Sequence, residues 1–228
     1  MPDLRLIRAE ILKLKRPGML VMVALLSVGV VAGYYGVTAA MGNDQHFGDI
    51  VAILALSGSV IGVIVGATAG AADIEAGVFR DLVATGRSRL SLFFVRVPGA
   101  WAIVLPPLVV SVVGAALLSG GDDVGLALAQ VTAAGALAAA VCVGLAALTG
   151  SRGTVIGLAL AFQLGVSPML GQWEAIGDGR FAIPQVALAR LGGADDIGLA
   201  VAAAVAILMA WAAVALAAGA WRSATQEI

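Results

Sequence analysis

Hydrophobic positions do not alternate with polar ones along most of this chain. They form long unbroken runs: Pro17–Asn43, Ile50–Ala72, Val97–Gly121, Val124–Ser151, Gly153–Trp173 and Ile197–Trp221, none containing Asp, Glu, Lys, Arg or His. Each run meets or approaches the roughly 20 apolar residues that a helix needs to cross a bilayer. A membrane barrel needs strands that alternate apolar and polar positions. These runs are apolar on every side, so they predict helices, which satisfy their own backbone hydrogen bonds in lipid. The predicted fold is an all-α membrane protein, one transmembrane domain over 1–228, with spans at about 18–42, 50–72, 97–120, 124–150, 153–172 and 197–221.

Composition agrees. Apolar residues make up 61% and charged residues 12% of the chain, against about half and a quarter in soluble domains; such a chain has too few polar groups to cover a water-facing surface. The chain is rich in alanine, glycine and valine, and lysine occurs only at Lys13 and Lys15, a bias that points to a GC-rich genome. The first run is too long for a signal h-region and reads as a span, so no cleavable signal is expected.

Charge placement gives orientation. With the N-terminus inside, the cytoplasmic segments hold eleven basic residues, Arg5, Arg8, Lys13, Lys15, Arg16, Arg80, Arg87, Arg89, Arg96, Arg152 and Arg222, and the outer segments only Arg180 and Arg190. Basic residues concentrate on the cytoplasmic side of membrane proteins, so both termini are expected there. Two connections are long: 73–96 inside, and 172–196, with Pro184, outside.

Within this frame several features invite a role. Over 3–16, Leu4, Ile7, Ile11 and Leu14 recur at helical spacing opposite Arg5, Arg8, Lys13 and Arg16; this predicts a helix in the cytoplasmic interface or a plain basic tail, with Pro17 and Gly18 breaking it from the first span. Gly58, Gly62, Gly66 and Gly70 fall four apart on one face of the second span. Such a stripe admits a close neighbour, either inside the bundle or on a second subunit or transport path. Gly29 and Gly33 of the first span offer a matching pair. Gln163 is the deepest amide and suits an interhelical hydrogen bond or a substrate contact.

The chemistry of enzymes finds little here. His46 is the only histidine and sits beside Asp44 and Asp49 in an outer loop; Cys142 is the only cysteine. There is no HExxH pair, no His/Cys cluster and no GxxxxGK[ST] loop. The chain is therefore expected not to be an enzyme and to hold no metal or cofactor, and no nucleic-acid partner is indicated. With no ionisable group inside the runs, ion-coupled pumping also lacks its usual residues, and an outside energy source is expected.

The segment 72–89 is the most informative. Val78, Phe79 and Leu82 share one side of a short helix, Gly86 ends it, and Arg87 and Arg89 follow. A basic loop at the headgroups and a docking surface for a cytoplasmic partner both fit that pattern. Glu75-x-Gly77, then Leu82, then Arg87-Ser88-Arg89 resembles the second intracellular connection of ABC-2 type transporter permeases, although many members carry a proline where this chain has Gly86-Arg87. The basic segment with Glu10 before the first span, and Phe181–Leu191 before the last, resemble the same family. The resemblance implies a permease subunit of an ABC exporter in a bacterial plasma membrane. It implies a coupling loop (Glu75, Gly77, Phe79, Arg80, Leu82, Arg87, Arg89) docked on a separate ATP-binding subunit that carries ATP and Mg. It also implies a second permease chain, identical or related, completing the pathway among membrane lipids. The alternative is a non-transport membrane scaffold or assembly factor whose glycine faces bind other membrane proteins.

Overall fold

The computed structural model describes residues 4–44, 46–84, 86–194 and 197–225, apart from the side chains of Phe79, Arg80, Asp81, Gln172, Glu174 and Ala175. Asp3, Thr85, Asp195 and Asp196, which the sequence assigns to the interfacial helix and the two long connections, lie outside the described residues. Among those described, six helices are long and apolar enough to cross a membrane: Pro17–Met41, Phe47–Glu75, Arg89–Ser119, Val124–Thr149, Arg152–Gly171 and Val201–Thr225. They are called the first to sixth spans below. No strand occurs among the described residues. The chain is an all-α, multi-pass membrane protein.

The second and fourth spans form the centre. The glycine stripe packs against the fourth span rather than against the first. A Cβ built on Gly62 would overlap the Gly135 carbonyl oxygen and come 2.9 Å from the Ala138 Cβ. One on Gly66 would lie 2.8 Å from the Ala139 Cα, and one on Gly70 2.6 Å from the Val143 oxygen. Glycine is required here because another backbone occupies the space of its side chain. Each four-residue step on the second span meets a four-residue step in the same direction on the fourth, so the two helices run parallel. Gly29 and Gly33 meet no other helix within 4 Å, which corrects the match expected from the first span: alanine and Gly135 supply the small surface instead.

The sixth span packs on the other side of the fourth. Gly144 and Gly219 face each other there, and a Cβ on Gly219 would lie 2.9 Å from the Gly144 Cα. Ala134 clusters with Ala204 and Leu208, so these helices are parallel too. Spans 2, 4 and 6 thus point one way, as six successive crossings demand. Leu108 and Val104 of the third span close over Gly58 and Gly135. The helix Pro184–Leu191 buries Pro184, Ala187 and Leu188 against the fourth and sixth spans.

Two boundaries differ from expectation. The third span begins at Arg89, not near 97, because Ser88 caps it, its Oγ accepting from the Ser91 N–H at 3.1 Å, and because Arg96 is neutralised inside the bundle. The last begins at Val201 after Gly198, whose φ is +71°. The N-terminal helix Leu4–Leu14 forms as expected, and Pro17 starts the next helix at its first turn, after an extended Arg16. Ile11 packs against the core and Leu14 is buried, but Leu4 is 80% exposed; only the later part of the apolar stripe docks.

Candidate functional site

The connection between the second and third spans was expected to run from Asp73 to Arg96. Its two ends are instead interior. Asp73 lies in the last turn of the second span and is buried, and Arg96 is 1% exposed. The Arg96 guanidinium donates to the Asp73 carboxylate at 3.1 Å and to the Gly70 carbonyl at 2.8 Å. Lys13 of the N-terminal helix donates to both Asp73 oxygens at 3.0 Å and pairs with Glu10 at 2.7 Å. Four charges from three helices therefore neutralise one another at one end of the bundle. Gly99 permits this docking: a Cβ there would lie 2.9 Å from that of Glu10.

The connection proper is short. Glu75 ends the helix and Gly77, with φ +70°, turns the chain. The Gly77 N–H donates to Ile74 O and the Val78 N–H to Asp73 O, both at 3.1 Å, which is the Schellman arrangement that glycine favours. The helix Phe79–Ala84 follows, and Gly86, at φ +83°, lies just beyond it. The expected short helix and its glycine stop are both present. Val78 and Leu82 are exposed, as is Leu90.

Of the residues expected to form a docking loop, not all face outward. The Glu75 carboxylate accepts from the Arg152 backbone N–H at 2.8 Å and pairs with its side chain at 3.1 Å, tying the second span to the start of the fifth. The Arg89 guanidinium donates to Ala224 O at 3.2 Å, at the end of the sixth. Leu82 and Arg87 remain on the outside. Phe79 and Arg80 are placed by backbone in the short helix; their side chains lie outside the described residues.

A second candidate lies at membrane depth. A cavity of about 270 Å³ is bounded by the second, fourth, fifth and sixth spans and by the helix Pro184–Leu191, with Ser59, Val141, Cys142, Leu158, Gln163 and Gln185 on its walls. The fifth span widens into a π turn over Phe162–Val166, a feature often found at functional places in helices. This turn brings Gln163, 7% exposed, to the Ser59 hydroxyl, to which it donates at 2.5 Å. Ser167 donates to the Gln185 oxygen nearby. The interhelical hydrogen bond expected of Gln163 is therefore made.

Sequence reasoning missed the ion cluster and the cavity. A signal for Arg96 existed: it falls in phase with Ala100, Ile103, Val104 and Leu108, the buried face of the third span. Asp73 likewise continues the face of Gly66 and Gly70. Among the described residues no group of three or more potential metal ligands occurs. No protein-family model and no curated protein matches the sequence.

Proposed function

We propose that this chain is the membrane-spanning permease subunit of an ATP-driven exporter of the ABC-2 type. In this reading two permease chains enclose the pathway, and a separate ATPase subunit, carrying ATP and Mg, drives it through the loop 76–88. The end bearing Lys13, Arg87, Arg152 and Arg222 faces the cytoplasm of a bacterial cell, following the basic-residue rule.

The observation that carries the reading is how the loop is mounted. Its two roots, Asp73 and Arg96, are joined to each other by a buried charge-assisted hydrogen bond, and Asp73 to Lys13 by part-buried ones, the stronger class of such bonds. Glu75 adds a link to the fifth span and Arg89 a link to the sixth. Meanwhile Val78 and Leu82 stay exposed. The two roots of the loop are thus fixed to the second, third, fifth and sixth spans, so a displacement of the roots is passed to four spans together. This is what a rigid-body, alternating-access transition needs.

The test is co-purification of the full chain with an ATP-binding-cassette subunit from its native membrane. Replacing Arg80 and Arg87 with glutamate is expected to abolish association. Arg89 is best left intact, because its guanidinium also holds the end of the sixth span. Unchanged association in the double variant would overturn the role of the loop. Association with other membrane proteins and never with an ATPase would favour the scaffold reading.

A further inference from the structure

The Gln163 amide is only half used. Ser59 donates its own proton to the Ala55 carbonyl at 2.8 Å, so its oxygen is free to accept, and the Gln163 Nε2 supplies the donor. That assignment leaves the Gln163 carbonyl oxygen as the amide's other polar atom, and no described residue donates to it. The walls around it are mostly alkyl and aromatic: Val63, Val141, Leu145, Leu158 and Phe162. An acceptor on the wall of such a cavity, with no donor from the protein, gains a hydrogen bond from any occupant that brings one.

Access is sideways. Leu158 is 65% exposed and Trp211 40% exposed at the cavity edge, and the fifth and sixth spans meet there through the Phe162–Trp211 ring pair, 6.0 Å between centroids. Gln163 lies near the middle of the fifth span, far from either water-facing end. What reaches the cavity by that route must dissolve in the hydrocarbon layer. What gains most from it must bring the missing donor. The volume is slightly below the usual 300–1,000 Å³ of small-molecule sites, so the occupant is one chain or one ring system rather than a whole two-tailed lipid.

We propose that this cavity binds an apolar, single-chain or single-ring molecule bearing a hydroxyl or amide N–H, which donates to the Gln163 oxygen. The site belongs to one chain and needs neither a partner permease nor an ATPase, so it stands apart from the transport reading. In such a site the carboxamide sorts membrane-dissolved alcohols and amides from plain hydrocarbons, ethers and lipid tails.

The experiment uses the full chain in phospholipid nanodiscs, without ATPase. A diazirine-bearing dodecanol and its methyl ether are photolysed separately, and labelled peptides are mapped by mass spectrometry. The alcohol is expected to label the cavity residues Val141, Leu158 and Ala159 roughly fivefold more than the ether, the advantage of one hydrogen bond. Gln163→Leu is expected to erase that difference, and Val141→Trp, which fills the cavity, to suppress both labels there while leaving exposed Met209 labelled. Equal labelling by alcohol and ether in the unaltered protein would overturn the proposal, as would an alcohol preference that survives Gln163→Leu. If Gln163→Leu does not fold, the alcohol-to-ether ratio at Leu158 and Ala159 in the unaltered protein, set against the ratio at exposed Met209, decides the matter: equal ratios overturn the proposal.

Discussion

Replacing Gly66 with alanine adds one methyl group where the Ala139 backbone already stands. The new Cβ would overlap the Ala139 oxygen and sit 2.8 Å from its Cα and 2.9 Å from its carbonyl carbon. Backbone atoms of a helix pinned at Gly135 and Val143 as well cannot retreat singly; the two helices must part along the whole stripe. Overpacking of this kind costs about 1–3 kcal/mol. The added methyl also helps helix formation by up to about 1 kcal/mol, so a net loss of about 1–2 kcal/mol is expected. Gly33→Ala supplies the control, because nothing lies within 4 Å of its Cβ position; it should be neutral or gain up to about 1 kcal/mol. Reversible unfolding of both variants in mixed detergent micelles measures the gap, expected near 2 kcal/mol on these principles. Equal stability of the two variants would refute the parallel packing of the second and fourth spans.

Other outcomes follow from the charged end. Asp73→Asn strips buried Arg96 of its counter-charge and half-buried Lys13 of one of its two carboxylates and should cost about 3–5 kcal/mol, read by the same unfolding assay; combining it with Arg96→Met should recover part of the loss. Gly99→Leu has no room beside Glu10 and should release the N-terminal helix, seen as faster amide hydrogen exchange over 4–14 with the spans still protected. Gly77→Ala forces an L side chain to φ +70° and should cost about 1–2 kcal/mol, appearing as faster exchange at the end of the second span.

The spans were legible because lipid imposes a simple demand, and six charge-free runs meet it. Their edges were less so. Arg96 looked like the end of a loop, because a charge ordinarily stops an apolar run; only its phase with Ala100 and Leu108 marked it as interior. The glycine stripe was legible as a packing face, since Gly58 to Gly70 repeat at helical spacing. Its partner was not, because the fourth span offers alanines in a chain where alanine is everywhere. The cavity was hidden for a different reason. Ser59 and Gln163 are far apart in sequence, and the π turn that brings them together leaves no mark in the residue pattern. The loop was half legible: Gly77 and Gly86 announced its turns, while the inward pairing of Glu75 with Arg152 depends on a helix three spans later.

In the proposed transporter a partner ATPase takes hold of the loop 76–88. A photo-crosslinking amino acid at Leu82, on the exposed side of the loop helix, tests it most directly when irradiated in native membranes. Asn43, beyond the other end of the first span, serves as the comparison. An adduct with a nucleotide-binding subunit is expected from position 82 and none from position 43. An adduct from both positions alike, or only with proteins that bind no nucleotide, would contradict it.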